Sequence, residues 1–495
     1  MLNRTIVFLG LLVGLLLFPG TAQNSVMAQT GEFVQEPCPL ENFIEGENVI
    51  CGRLSVPQFH ADPSRGTLVI RASVFKSTSA TPDPTPLLMS SGGPGSSTLH
   101  VLGGILQTSV GQSILAQRDV VLFEARGSLY TEPFLFCEPL FELYIPTEEI
   151  VAPAAYHAAE QAAAQTCQAK WEGVDLAAYN SFEIIADMVM TIDALGYDTF
   201  NYYGVSYGTV YGQHLLREYP ARVRSVIFDA VAPLELNMFS RYVFDIDRMY
   251  GWLFEHSAQE YPDLENTLIT TVERLNAKPK LLTITDTTTG TAYDVPLTGD
   301  YLVQTLASMM YWSGDTQIMP DMIMRLAGDD PEAYALIAKA IRRSQTFNRT
   351  LSLPLNVLVN CAENADIEPA DRIPEAVRPY IAQALADYVD FFPAEACALF
   401  EVESTVDNVH APVTSDVPVL IMSGELDPVT PPAYGEMVAQ HLPNAFSYVF
   451  PDMGHSSILQ GDCAASLMAG FLNDPTREPD ASCLADLSFS FKTID

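Results

Sequence analysis

Short apolar runs rich in β-branched and aromatic residues recur along the chain, at Leu68–Phe75, Leu87–Ser90, Asp119–Phe123, Thr199–Tyr203, Ser225–Asp229, Pro418–Met422 and Phe446–Phe450. They do not alternate with polar positions, as a strand facing water on one side would, so each predicts a strand buried on both faces. Between many of them the apolar positions take helical spacing, predicting helices at Phe182–Leu195, Val210–Glu218, Tyr434–His441 and Cys463–Leu472. Strands alternating with helices predict an α/β fold, with a mostly parallel central sheet flanked by helices. The alternation stops between Asp229 and Val417. There, helical patterns at Arg241–His256, Tyr301–Trp312, Pro331–Arg343 and Ala376–Tyr388 surround a Thr-rich, hairpin-like segment, Leu281–Leu297. The pattern predicts a mostly helical cap over 236–412, inserted between core segments 29–235 and 413–495.

Composition narrows the class. The 495 residues exceed one ordinary domain, as a core with a large insertion requires. With 48% hydrophobic and 17% charged residues, the chain is globular and not disordered. A formal net charge of -36 repels phosphate backbones and anionic bilayers, which excludes nucleic acid as a partner. At the N-terminus Arg4 precedes an apolar run, Ile6–Phe18, and then small and polar residues ending Val26-Met27-Ala28. This predicts a secretory signal over 1–28 cut after Ala28, with an uncleaved anchor as the alternative. No other stretch is long enough to span a bilayer, so the mature chain is expected off the membrane, periplasmic or extracellular. Eight cysteines in an exported chain predict disulfides. Short loop closure favours sequence neighbours: Cys38–Cys51, Cys137–Cys167, Cys361–Cys397 and Cys463–Cys483. A zinc site is the rival reading, but no C-x-x-C or close Cys/His cluster supports it. No metal or cofactor is expected.

The candidate chemistry begins at Gly204-Val205-Ser206-Tyr207-Gly208, between a predicted strand and a predicted helix. A serine flanked by glycines at such a junction has the form of a nucleophile elbow. The turn is tight enough that side chains two residues to either side would collide, and the helix N-terminus favours developing negative charge. A pattern this short also arises in ordinary glycine-flanked turns, so its weight depends on partners. A serine nucleophile needs a base and a carboxylate to orient it. His455, in Asp452-Met453-Gly454-His455-Ser456, follows the last predicted strand; His441 reads instead as a cap on a helix C-terminus. Asp427, in Ser423-Gly424-Glu425-Leu426-Asp427-Pro428, follows the preceding strand, with Glu425 and Asp229 as alternatives. The order Ser, Asp, His is that of the α/β-hydrolase architecture. The oxyanion requires two N–H donors. Tyr207 supplies one and Gly93, in Ser91-Gly92-Gly93-Pro94-Gly95, the other, because Pro94 has no N–H.

These motifs together resemble the tripeptidyl aminopeptidase and proline iminopeptidase group of serine α/β-hydrolases. The resemblance rests on Gly92-Gly93-Pro94-Gly95, the elbow through Thr209, Ser423 to Pro431, and Asp452-Met453-Gly454-His455. Cys51-Gly52-Arg53-Leu54-Ser55-Val56-Pro57 and the Cys463/Cys483 tail are similar to the tripeptidyl aminopeptidase-like branch. It implies a secreted exopeptidase acting on peptides with a free N-terminus. Three departures stand out. Glu124-Ala125-Arg126-Gly127-Ser128-Leu129 replaces Asp-Gln-Arg-Gly-Thr-Gly, Ser91 replaces a histidine common in proline iminopeptidases, and Asp229-Ala230 replaces Asp-Gly. A free α-ammonium calls for carboxylates near the site. Ten acidic residues lie between Cys361 and Ser404, and Glu363 is the candidate among them, against the competing reading of a solvated acidic face. An esterase or lipase could use the same triad, and a non-catalytic binding protein could use the same fold.

Overall fold

The apolar runs become strands whose successive side chains enter opposite helix layers, except that Ala445–Phe450, at the sheet edge where one side has no neighbouring strand, leaves Ser447 and Val449 exposed. In the computed structural model, which describes residues 31–40, 48–143, 145, 153–287, 290–364, 376–385, 397–398, 400 and 409–494, the strands are β1 (Val34–Gln35), β2 (Val49–Pro57), β3 (Thr67–Phe75), β4 (Asp83–Ser90), β5 (Arg118–Glu124), β6 (Phe200–Val205), β7 (Val223–Asp229), β8 (Lys280–Thr285), β9 (Ala292–Leu297), β10 (Val419–Gly424) and β11 (Ala445–Phe450). Nine of them form one sheet in the order β1-β2-β3-β5-β4-β6-β7-β10-β11, and β8 and β9 form a separate hairpin. From β5 to β11 every pairing is parallel, while β1, β2 and β3 add an antiparallel edge. Phe200 and Tyr202 of β6 enter one apolar cluster, and Tyr203 and Val205 enter the other. Val419 and Ile421 of β10 likewise face away from Leu420 and Met422. This two-residue alternation between two buried faces is what an unbroken apolar run encodes.

The helices are α1 (Thr98–Leu102), α2 (Ser109–Leu115), α3 (Glu138–Leu143), α4 (Pro153–Lys170), α5 (Ser181–Ala194), α6 (Gly208–Glu218), α7 (Met238–Ser257), α8 (Leu264–Ala277), α9 (Gly299–Met309), α10 (Ser313–Ala327), α11 (Pro331–Asn348), α12 (Leu353–Asn364), α13 (Pro379–Ala384), α14 (Pro432–Ala439) and α15 (Asp462–Asn473). Helices α5, α6 and α14 pack on one face of the sheet, and α1, α2 and α15 on the other. Between β7 and β10, helices α7 to α11 and α13 build their own apolar core around the β8–β9 hairpin. Leu426 and Val429, just after β10, join that core, and so do Phe489, Phe491 and Ile494. Helix α12 differs: Leu355, Val357, Leu358 and Val359 belong to the main core under the sheet.

Several elements departed from the sequence pattern for identifiable reasons. Strand β2 is interrupted by the buried Gly52 and by Arg53 and Ser55, which face outward on an antiparallel edge. Strand β4 begins at Asp83, inside a proline-rich stretch, and reaches regular pairing only at Leu87. Helix α10 carries Pro320 in its interior, a residue that argues against a helix in isolation. Of the helix expected at Ala376–Tyr388, the described part is α13; the expected signal segment, 1–28, lies outside the described residues. All four neighbouring cysteine pairs are disulfides. Among the described residues, no helix is long and apolar enough to cross a membrane.

A buried ion pair joins the antiparallel edge to the helix layer. Arg126, just after β5, is fully buried and donates to both oxygens of Asp187 on α5, at 2.8 and 2.7 Å. It also donates to the carbonyls of Pro57, Gln58 and Ala178, at 3.2, 2.6 and 2.9 Å. His60 places Nε2 2.8 Å from Asp187 Oδ1. A guanidinium satisfied by this many partners has no alternative solvation inside the protein. We expect Asp187→Ala, which strands the guanidinium, to destabilise the fold by about 3–5 kcal/mol. Urea or thermal unfolding of the variant against the parent measures the loss.

Candidate active site

Strand β6 ends at Val205 and α6 begins at Gly208, so two residues reverse the chain. Ser206 takes φ 56°, the left-handed region that a side chain rarely adopts and that marks stored strain. No Cβ fits around it. At Gly204 a Cβ would sit 2.2 Å from the Gly208 carbonyl oxygen, and at Gly208 it would sit 2.8 Å from that of Ser90. The turn is fastened by the Ser206 N–H, which donates to the Asp229 carbonyl at 2.9 Å. Thr209 fastens it from the helix side, donating its N–H and hydroxyl to the Ser206 carbonyl at 2.8 and 2.7 Å. Ala230, where the resembled family carries glycine, also has positive φ, 58°. The glycine preference there has a backbone cause, and this chain holds the same conformation with a methyl group.

The second loop arrives because of strand order. Strand β4 neighbours β5 on one side and β6 on the other, a switch point at which parallel sheets open a crevice beyond their C-terminal ends. Ser90 lies opposite Gly204, so Gly92 and Gly93 fall beside Ser206. A Cβ on Gly92 would stand 2.7 Å from Ser206 Cβ and from the Tyr207 backbone nitrogen. Gly93 has φ +113°. The departing segment after β5 supports this loop: Glu124 accepts from the Ser97 hydroxyl, the Leu99 N–H and the Ser128 hydroxyl, at 2.8, 2.7 and 2.7 Å. Burial pushes the Glu124 carboxyl up to about 7, against those donors.

Asp427 and His455 converge from the ends of β10 and β11. His455 Nδ1 lies 2.8 Å from Asp427 Oδ2. Asp427 is fully buried and also accepts from the Val429 N–H (2.9 Å), the Thr430 N–H (2.8 Å) and the Thr430 hydroxyl (2.6 Å). Burial opposes its charge, but the His455 ring and the His455 and Thr430 hydrogen bonds outweigh burial and hold the carboxyl below its ordinary value. Burial pushes His455 down, and the facing Asp427 carboxylate more than reverses this, so the imidazole is raised. The stability each contributes has opposite limits. That of the carboxylate is lost as pH falls through its lowered value; that of the imidazole is complete below the ordinary histidine range and is lost as pH rises through the raised value.

The alternative carboxylates do other work. Glu425 donates its N–H to the Phe450 carbonyl, and its side chain is not the one that meets His455. Asp229 is fully buried and accepts from the Ser457 N–H (2.7 Å), the Ile458 N–H (3.1 Å) and the Tyr203 hydroxyl (2.9 Å). It therefore anchors the turn after His455. His441 lies 3.3 Å from Glu235, just beyond α14.

Ser206, His455, Thr430, Gly93 and Tyr207 line one cavity of about 550 Å³. The insertion supplies much of its roof, including Tyr242, Tyr311 and Phe347, and α12 supplies Asn356, Asn360 and Glu363. Glu363 is buried and accepts from the Ser181 N–H (2.6 Å), the Ser181 hydroxyl (2.8 Å) and the Tyr207 hydroxyl (2.8 Å). Burial raises its carboxyl despite those donors. It is thus a cavity-wall group and not part of a solvated acidic face. Among the described residues, no cluster of His, Cys, Asp and Glu is arranged to hold a metal ion. Sequence reasoning missed Thr430, although a threonine three residues after an aspartate is a recognisable turn signal. It also missed Gln460 and Tyr311, whose contacts with the His455 loop join distant segments.

The alpha/beta hydrolase fold family matches residues 85–462. The chain is 23% identical over 463 residues to the serine protease Hip1 of Mycobacterium tuberculosis, covering 88% of this chain and 86% of that protein. It is 26% identical over 459 residues to carboxylesterase B of the same organism, covering 87% and 85%. A proline iminopeptidase structure from Mycobacterium smegmatis aligns with TM-score 0.38 and 15% identity, covering 82% of this chain and 96% of that one.

The crowding beside Ser206 has a measurable consequence. Gly92→Ala should destabilise the protein by about 1–3 kcal/mol, since its neighbours are backbone and a strained turn that cannot retreat. Denaturant unfolding gives the value, and an unchanged midpoint would show that the two loops are less tightly opposed.

Proposed function

Because the chain belongs to the alpha/beta hydrolase fold family, we propose that it is a serine hydrolase with Ser206 as nucleophile, His455 as general base and acid, and Asp427 as the orienting carboxylate. The observation that carries this reading is the 2.8 Å contact of Asp427 with His455 Nδ1, in one cavity with the strained Ser206. A carboxylate on Nδ1 fixes that nitrogen as the protonated one and leaves Nε2 to take the serine proton. Ser206 Oγ attacks the acyl carbonyl as its proton passes to His455, and negative charge gathers on the carbonyl oxygen. The N–H groups of Gly93 and Tyr207 serve as its donors, helped by the N-terminus of α6. Collapse expels the leaving group, which takes the proton from His455. Water then repeats the sequence on the acyl-enzyme and frees Ser206.

The favoured substrates are peptides with a free N-terminus, cleaved as an exopeptidase cleaves them. Glu363 supports this: a buried carboxylate on the cavity wall, bonded to the side chain next to the nucleophile, offers an incoming ammonium its counter-charge. The cap supports it too, by roofing the cavity. A carboxylic-ester hydrolase is the second reading, favoured by the apolar side chains Leu234, Leu236, Met238 and Val409 along the same cavity. Four disulfides support secretion into an oxidising compartment.

Three outcomes test these assignments. Ser206→Ala should lower turnover by about 10⁴-fold or more while the protein stays folded; retained turnover would remove Ser206 from its role. Glu363→Gln should lower kcat/KM about ten-fold or more on unblocked aminoacyl and peptidyl anilides and spare small acyl esters. Equal loss on both, or cleavage of N-acetylated peptides as fast as free ones, would favour the esterase. Finally, a neutral imidazole is the base, so activity should rise with pH through a value above about 6.5. Asp427→Asn should move that limb downward as well as lower the rate, which a kcat/KM profile resolves.

A further inference from the structure

The loop carrying His455 is fastened to the insertion through one side chain. Gln460 Oε1 accepts from the Ser313 N–H at 2.9 Å and the Gly454 N–H at 3.1 Å. Its Nε2 donates to the His455 carbonyl at 2.7 Å and the Tyr311 carbonyl at 3.2 Å. Two of these partners flank or belong to the base, and two belong to the Tyr311–Ser313 segment of the insertion, Tyr311 between α9 and α10 and Ser313 at the start of α10. The same segment touches the base directly. The His455 N–H donates to the Tyr311 carbonyl at 3.0 Å, and the two rings meet edge to face with centroids 5.0 Å apart. A Cβ on Gly454 would come within 2.5 Å of the Tyr311 carbonyl oxygen, so the loop and the segment are in van der Waals contact as well.

The amide is specified by its surroundings. Two N–H groups face Oε1 and three carbonyls, of His455, Tyr311 and Ser456, face Nε2, so a flipped or carboxylate side chain would set like against like at several bonds. No apolar residue of the same length reproduces any of them. Tyr311 and Trp312 also line the cavity, so whatever moves them on substrate entry moves the anchor of His455.

We infer that Gln460 is a positioning residue for His455, setting the imidazole against Asp427 and Ser206 according to how the Tyr311–Ser313 segment is seated. The inference rests on the assignment of His455 as the base. It acts on the chemical step: Asp427 fixes one edge of the ring, and Gln460 fixes the backbone from which the ring projects. A displacement of about 1 Å at a general base costs on the order of 100-fold in rate.

The test compares Gln460→Met, which keeps length and loses every bond, with the parent and with Ser206→Ala, on a small acyl ester. Active sites are counted by a fluorophosphonate, and thermal midpoints are recorded. The expected result is a kcat per active site lowered about 10- to 100-fold, with KM changed less than about three-fold, and slower modification by the fluorophosphonate. A kcat per active site within two-fold of the parent would overturn the inference, even if the midpoint fell, because a purely structural role changes the active fraction and not its rate. Should Gln460→Met fail to fold, Gln460→Glu, which keeps shape and the acceptor oxygen, carries the same readouts with the same deciding outcomes. Loss of the reading for His455 itself would appear separately, as turnover that survives His455→Ala.

Discussion

The site depends on a place where two parallel strands end with no room between them. Strands β4 and β6 run side by side, and their following loops occupy the same small volume above the sheet. Glycine at 92, 204 and 208 is a condition of that contact, because an added carbon would enter backbone atoms. With those side chains absent, the serine turn can close, its φ can become positive, and the loop after β4 can lie against Tyr207. Helix α6 then starts directly beneath the hydroxyl. Strain at Ser206 is thus held by the sheet below and by the crowding beside it, and not by the turn alone.

The remaining groups come from further along the sheet and are held by shorter-range chemistry. Thr430 and Val429 satisfy Asp427 from its own turn, so that carboxylate keeps its charge while fully buried. Asp229, whose carbonyl anchors the Ser206 turn, uses its carboxylate to anchor the turn after His455. One residue therefore joins the loop bearing Ser206 to the loop bearing His455 through two different functional groups. The insertion completes the arrangement from above, through Tyr311 and Gln460.

Much of this was legible in the chain. Unbroken apolar runs mark strands between two helix layers, and the glycines around Ser206 mark a turn without room for side chains. Residue order and strand ends separated Ser206, Asp427 and His455 from other serines, carboxylates and histidines. Neighbouring cysteines paired as short loop closure favours. What was hidden depends on contacts across long sequence separations. Glu425 stayed open beside the preferred Asp427 until the turn after β10 placed Asp427 against His455, and Asp229 revealed its anchoring role only through its partners. Glu363, the candidate picked from an acidic stretch, competed with the reading of a solvated face until α12 was seen to pack under the sheet, with its carboxylate against Ser181 and Tyr207. Gln460 carries no sequence signal, since its meaning lies in five backbone groups drawn from two distant segments.

Residues 489–494 give the architecture a temporal dimension. Phe489 and Phe491 pack on Trp252 of α7, the Lys492 N–H donates to the Gln317 carbonyl, and the Ile494 N–H donates to Asp321. The insertion, made midway through synthesis, is closed by residues made after both of the last strands. Ser206 likewise emerges long before Asp427 and His455. A chain growing from its N-terminus therefore carries Ser206, beneath an incomplete roof, before the segments bearing Asp427, His455 and residues 489–494 have followed. The order of the polypeptide itself thus decides that these groups can meet only after the insertion and both following strands have been made.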